Sequence, residues 1–407
     1  MSSCPAVAPV AVRPRARLSH PVAFTAVAVI FVLFMAASSV PSPLYVVYQQ
    51  EWGFSSMTLT AVFAVYVLGL IVSLLVVGAL SDHIGRRPVL AAAIVGEAVS
   101  LVLFLVAGDV SALFAARVVQ GVATGAAMSV LGATLVDLNP PHAPGRAGVI
   151  SSVAPTSGLA LGALGCGALV QFAPAPTHLV YALLLAGMVV ALLLTAGLPE
   201  TSARRPGALA SLTPRLGVPA RLRPDLFALL PILLSSWALG GLYLSLGPSV
   251  AAGLFGLTNH LVGGLVVTLL CGTGALTSLA LRTAPVGMVL QAGAVLLAAG
   301  LGASLAGVLT DTVTLAVAGT LVSGVGFGAS ALASFGTLAR LAAAGQRGEL
   351  FAVVYVIAYL AFSVPAVIAG FAATSAGLRS TAIVYGFAVA GLAVIAVIAQ
   401  SVRAARR

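Results

Sequence analysis

The sequence predicts an all-α membrane protein of twelve transmembrane helices, arranged as two six-helix parallel repeats with both termini cytoplasmic. Three observations predict it. Of 407 residues 60% are hydrophobic and only 7% charged, against roughly a quarter charged in a soluble domain, and the mean hydropathy is +1.15. The apolar residues are gathered into runs close to the ~20 residues that a helix needs to cross hydrocarbon. The basic residues, finally, collect on alternate connections between those runs.

A Pro- and Arg-rich segment, 1–21, reads as a cytoplasmic tail before the first run at 22–46. A cleavable signal peptide ending near Ala36 to Ser39 is the competing reading. It fits less well, because the run continues through Pro41 to Tyr48 and its removal would leave an odd number of spans. Runs at 57–79 and 89–107 flank a short charged loop, 111–136 carries Arg117 inside it, 148–171 contains Pro155 and Gly158, and 179–197 completes a bundle at 22–197. The polar stretch 198–225 reads as a cytoplasmic linker. A second bundle, 226–400, follows with runs at 226–247 (Trp237 at its middle), 259–281, 286–308, 313–338, 350–371 and 380–400, and a tail at 401–407.

Orientation comes from the arginines. All 19 basic residues are Arg. Numbering the connections alternately puts 17 of them on the side of the termini, including Arg86, Arg87, Arg146, Arg282, Arg340 and Arg347, with Arg379 alone opposite and Arg117 within a span. That is the positive-inside asymmetry, and it makes the termini side cytoplasmic. The repeat shows in Gly121, Gly125, Thr134 and Leu135, which recur 203 positions later as Gly324, Gly328, Thr337 and Leu338. Two parallel repeats describe a secondary transporter with its site between the halves.

Composition excludes other chemistries. Without a lysine there is no phosphate-binding loop of the ATPase kind and no Schiff base. Nine carboxylates leave no paired Asp cluster, and Cys4, Cys166 and Cys271 have no metal-ligand spacing. No cofactor and no metal are expected. The positive charge is explained by membrane orientation, not by nucleic acid. A membrane-embedded enzyme lacks a catalytic constellation, a sensor lacks a soluble domain, and a channel would not need a two-fold repeat with a gating loop.

Between the second and third runs stands Gly78-Ala79-Leu80-Ser81-Asp82-His83-Ile84-Gly85-Arg86-Arg87-Pro88. Gly85 permits a positive backbone dihedral in a tight turn, Pro88 favours helix initiation, and Asp82 is an anion in a basic loop. This segment resembles the G-x-L-x-D-x-x-G-R-R signature loop of the major facilitator superfamily. Arg117-Val118-Val119-Gln120-Gly121 resembles the family's R-x-x-Q-G element, and Leu198-Pro199-Glu200-Thr201 its sixth-helix ending. The first-half motifs are most similar to the bacterial drug-efflux branch. Two departures stand beside them: the loop after span eight keeps only Arg282, and span five has Ala154 and Leu159 where the antiporter pattern has glycines. The resemblance implies a gate of Gly78, Asp82, Gly85, Arg86, Arg87 and Asp137, with Asp82 near the start of span eleven, where Glu349 would compete. It also implies that spans one, four, seven and ten line the path.

On span four Arg117, Gln120, Thr124 and Met128 share a face, while Gly121 and Gly125 occupy another suited to close helix packing. Glu97 is the one carboxylate well inside a span. Counting 1.5 Å per residue places Arg117 about 9 Å from Glu97 along the membrane normal, so something must bridge them. Trp237, Tyr355 and Tyr359 read either as cavity lining or as packing. Arg117, Gln120, Thr124, Glu97, Trp237, Tyr355 and Tyr359 are the candidate substrate or proton pathway. The expectation is a monomeric inner-membrane transporter in the lipid bilayer, exporting a neutral or anionic small molecule against protons. Metabolite uptake and facilitated diffusion are the alternatives.

Overall fold

The computed structural model describes residues 18–405 except 141, 144, 203, 204, 215 and 342–346. Arg13, Arg15, Arg17, Arg204, Arg215, Arg406 and Arg407, and with them most of the tail assignments, lie outside the described residues. Within them the chain is helical with no strand, and twelve helices are long and apolar enough to cross a membrane. This is a multi-pass membrane protein, and an even number of crossings returns both ends to one side.

The first crossing is longer than expected, His20–Trp52, and broken into α1 (His20–Ser39) and α2 (Pro41–Trp52). Pro41 and Pro43 supply no N–H, so the carbonyls four residues earlier lose their intrahelical partners. α3 (Ser56–Val77) is capped by Ser55, whose hydroxyl accepts from the N–H of Thr58. The signature loop folds as a short helix, α4 (Leu80–Ile84), ending on Gly85 at φ 110°. That angle lies where only glycine is comfortable. α5 (Arg86–Leu105) starts two residues before Pro88, and α6 (Val110–Asp137) is capped by Asp109, which accepts from the N–H of Ala112. The Ser111 hydroxyl and that amide hold the Asp109 carboxyl below its ordinary range. α7 (Arg146–Phe172) and α8 (Leu179–Gly197) complete the first half.

Two 3-10 turns interrupt the linker, at Ala210–Leu212 and Ala220–Leu222. The seventh crossing repeats the break of the first: α9 (Arg223–Ser245) is followed at Pro248 by α10 (Gly247–Phe255). Then come α11 (His260–Ala280), α12 (Val286–Leu309), α13 (Val313–Leu341), α14 (Arg347–Ala376) and α15 (Leu378–Ala405).

The displaced glycines occupy equivalent seams. A Cβ on Gly121 or Gly125 would run into the α3 backbone at Tyr66 and Leu70, while one on Gly324 or Gly328 would meet the α11 backbone at Leu270 and Gly274. The fourth and tenth crossings thus press backbone to backbone on the second and eighth, as small-xxx-small seams do.

Contacts between the halves run from the side opposite the termini to the middle of the bundle. The N–H of Met57 donates to the Thr374 hydroxyl at 3.2 Å, Thr60 faces Gly370, and Phe63 meets Phe362 with ring centroids 5.1 Å apart. On the other flank Ser42 donates to the Leu244 carbonyl, the His260 N–H to Gln171 Oε1 at 3.1 Å, and Thr268 to the Ala160 carbonyl at 3.0 Å.

Candidate functional site: a buried charge network, an aromatic wall and a charged loop

The break at Pro41 builds the first part. The carbonyl of Ala37 would accept from residue 41 in an unbroken helix, and Pro41 has nothing to donate. Gln120 Nε2 takes that carbonyl at 3.1 Å, and Arg117 Nη1 takes the Ser38 carbonyl at 3.1 Å. Arg117 Nε and Nη2 donate to the Tyr45 hydroxyl at 2.9 and 2.6 Å, and its guanidinium lies 4.9 Å from the Tyr66 ring centroid. A cation over an aromatic face is attracted to the ring quadrupole.

Arg117 is 1% exposed, while Gln120, Thr124 and Glu97 are wholly buried. Arg117 does not touch Glu97 directly; Gln120 spans the gap expected from helix depth. Arg117 Nη1 donates to Gln120 Oε1 at 2.6 Å, and Gln120 Nε2 donates to Glu97 Oε1 at 2.9 Å. Because a guanidinium only donates, it fixes which end of the amide faces it, so Glu97 Oε1 must accept. The other oxygen, Oε2, has the Thr124 hydroxyl at 3.5 Å. Oε2 thus has the longer contact of the two carboxylate oxygens.

The second part is aromatic. Phe351, Tyr355, Tyr359 and Phe362 follow one another along one face of α14, joined by Trp237 of α9 and Phe335 of α13. The Tyr359 ring meets Trp237 edge-on at 4.9 Å, and Phe335 lies 5.3 Å from Tyr355. Trp237, Phe335, Phe351 and Tyr355 are only half-buried. Tyr359 crosses to the first half, its hydroxyl 3.1 Å from the Met128 sulfur. Of the expected candidates, Arg117, Gln120, Thr124 and Glu97 come together in one cluster, and Trp237, Tyr355 and Tyr359 in another.

The third part is the signature loop. Arg86 Nη1 meets Asp82 Oδ1 at 2.6 Å and its Nε meets Asp137 Oδ2 at 3.3 Å, with Thr201 donating to the same oxygen at 2.7 Å. Asp82's side chain is 52% exposed, and Glu349 stands beside Gly217 of the linker. Gly78 accepts at its carbonyl from Ser129 at 3.0 Å. Arg87 turns away from these acids: its Nε donates to the Thr195 carbonyl at 3.2 Å and its Nη2 to that of Ala196. Glu200 returns the favour, its carboxylate accepting the N–H of Arg86 at 2.7 Å and of Arg87 at 3.3 Å. α5 and α8 therefore cap each other, an anion at one helix start and a cation at the other's end.

Sequence reasoning missed three participants. Glu200 was visible only as part of a motif, Tyr66 gave no signal of its own, and Tyr45 needed the α1–α2 break to be seen.

Comparison with known proteins agrees with this architecture. The family model described as Major Facilitator Superfamily matches residues 27–287. The chain is 29% identical over 143 residues to an MFS-type transporter, paaT, of Penicillium rubens, covering 35% of this chain and 25% of that protein. It is 38% identical over 79 residues to a triacylglyceride transporter of Mycobacteroides abscessus, 19% of this chain and 15% of the relative. The matches thus span a quarter or less of those relatives. The fold superposes on the human organic anion transporter MFSD10 with a TM-score of 0.68 at 20% identity, covering 94% of this chain and 100% of that one. A bacterial homologue of the lysosomal transporter Spinster, solved inward-facing and unoccupied, gives 0.74 at 13% identity, with 94% and 97% covered. The chain belongs to the Major Facilitator Superfamily.

Proposed function

We propose that this protein is a proton-coupled secondary transporter that exports small organic molecules across the inner membrane by alternating access. The observation that carries the reading is the Arg117–Gln120–Glu97 cluster. A buried charge pair contributes little net stability because desolvation offsets its attraction, and ionisable groups at membrane depth are kept chiefly where they serve an ion or substrate path. Gln120 holds Arg117 off Glu97, so Glu97 can take a proton at Oε2 and give it up again as the surroundings change.

The halves, 22–197 and 226–400, rock about the helix pairs α3–α14 and α7–α11. Their contacts on the side opposite the termini support a state closed there, with the half-buried aromatics of α9, α13 and α14 facing the cytoplasmic side. Asp82, Arg86 and Asp137 form the cytoplasmic latch that closes when the protein turns outward. The aromatic wall, which forms no ion pair among the described residues, suits a neutral or anionic apolar compound. Relatives named for organic anions and triacylglycerides fit that range.

A panel of toxic organic compounds in an efflux-deficient bacterial host tests this. Expression should raise tolerance to at least one compound, and both an uncoupler and Glu97→Gln should remove the gain. Increased sensitivity on expression would indicate uptake, and tolerance that survives the uncoupler would exclude proton drive.

A further inference from the structure

Two clusters have been described, one charged and in the first half, the other aromatic and mostly in the second. Tyr66, on α3, belongs to both. Its ring carries the Arg117 guanidinium at 4.9 Å. The same side chain packs in one apolar cluster with Phe63, Tyr359 and Phe362, against which Trp237 and Tyr355 rest. α3 is also the element on which α14 slides if the halves move, and Gly121 holds α6 so close to α3 that a Cβ would strike the Tyr66 carbonyl. Arg117 lies between two rings, Tyr45 at 5.5 Å and Tyr66 at 4.9 Å, and of the two only Tyr66 belongs to the apolar cluster that holds Tyr359 and Phe362.

We propose that Tyr66 is the positioning residue that couples the two clusters: it transmits the protonation state of Glu97, through Arg117, to the aromatic wall around Trp237. The inference rests on the proton-coupled reading given above. When Glu97 is ionised, Arg117 is drawn toward Gln120 and the carboxylate. When a proton enters at Oε2 that pull is lost, and the guanidinium settles on its remaining partners, the Tyr45 hydroxyl and the Tyr66 face. Tyr66, packed in the cluster that holds Tyr359 and Phe362, passes the change to α14. The charged and titratable groups facing Glu97 are Arg117 from α6, Tyr66 from α3 and, beyond Arg117, Tyr45 from α2 and Tyr181 from α8. Among these, only Tyr66 belongs to the apolar cluster that holds Tyr359 and Phe362.

The protein contains two tryptophans, so Trp52→Phe leaves Trp237 as its own reporter, and no substrate is required. In lipid nanodiscs, Trp237 emission is recorded across a pH titration while the infrared band of the protonated carboxyl follows Glu97, identified by its loss in Glu97→Gln. The expected result is an emission shift that tracks the carboxyl band and disappears in Glu97→Gln. Replacing Tyr66 with phenylalanine should keep the shift. A series of increasingly fluorinated phenylalanines at position 66, alike in shape but progressively weaker in π-face attraction, should shrink it stepwise while the carboxyl band still titrates. Because the ring's shape barely changes, folding is not at issue, whereas Tyr66→Met serves as the extreme. A shift insensitive to fluorination overturns the proposal. So does a flat Trp237 signal beside a titrating Glu97, which leaves the proton reading intact. A carboxyl band that never titrates overturns both.

Discussion

Arg117 is the largest fully buried side chain among the described residues, and a cation removed from water loses hydration worth several kcal/mol unless its donors are met. They are met by Tyr45, the Ser38 carbonyl and Gln120. Arg117→Ala should therefore lower stability by about 3–5 kcal/mol, the usual cost of breaking a buried charged network, read as a fall in melting temperature in detergent. Gln120→Leu is the sharper variant, because it keeps bulk while removing the bridge. It should cost less stability than Arg117→Ala yet still abolish pH-dependent transport. Arg117, Gln120 and Glu97 were all legible in the sequence, being polar groups in runs that otherwise exclude them. Their partners were not: a tyrosine in an apolar run looks like packing until a cation is placed against it, and carbonyls left open at a helix break belong to no side-chain pattern.

Helices are set by a few local devices, each with its own test. Gly121 lies against the α3 backbone, so Gly121→Leu should destabilise α6 more than Gln120→Ala does, since overpacking a tight seam costs roughly 1–3 kcal/mol and forces the backbones apart. Equal melting temperatures would contradict the seam. Glu200 caps α5 through two amides. Glu200→Ala should cost about 1 kcal/mol, as loss of a capping side chain commonly does, whereas Glu200→Gln, which still accepts hydrogen bonds, should cost less. Element ends were read to within a few residues, because charge and proline mark them plainly. The broken first crossing was read as a single run, whereas the seventh run, 226–247, stopped at its break before Pro248. Hydropathy is blind to a kink, and beyond Pro41 the chain turns apolar again at Leu44-Tyr45-Val46.

The assembled bundle makes a mechanical prediction. Met57 and Thr374 touch across the halves on the side opposite the termini. In a background with Cys4, Cys166 and Cys271 replaced, Met57→Cys with Thr374→Cys should cross-link on oxidation, halt turnover and recover with reductant. Asp82→Asn should leave the protein inserted and folded but cut turnover about tenfold, because ~1.4 kcal/mol is enough to shift a two-state equilibrium by that factor. The repeat itself was legible in four residues that recur 203 positions later, and the two glycines of each set prove to line matching seams against α3 and α11. Which faces of α3 and α14 meet was not, since both helices are largely apolar all round and no polar stripe marks the face in contact. The claim on which the rest depends is that Glu97 exchanges the proton that drives transport. Flux of a compound found by the tolerance panel, measured in proteoliposomes with and without a pH gradient, tests it most directly. The account predicts gradient-driven accumulation by the wild type and only downhill equilibration by Glu97→Gln, and full gradient-driven accumulation by Glu97→Gln would contradict it.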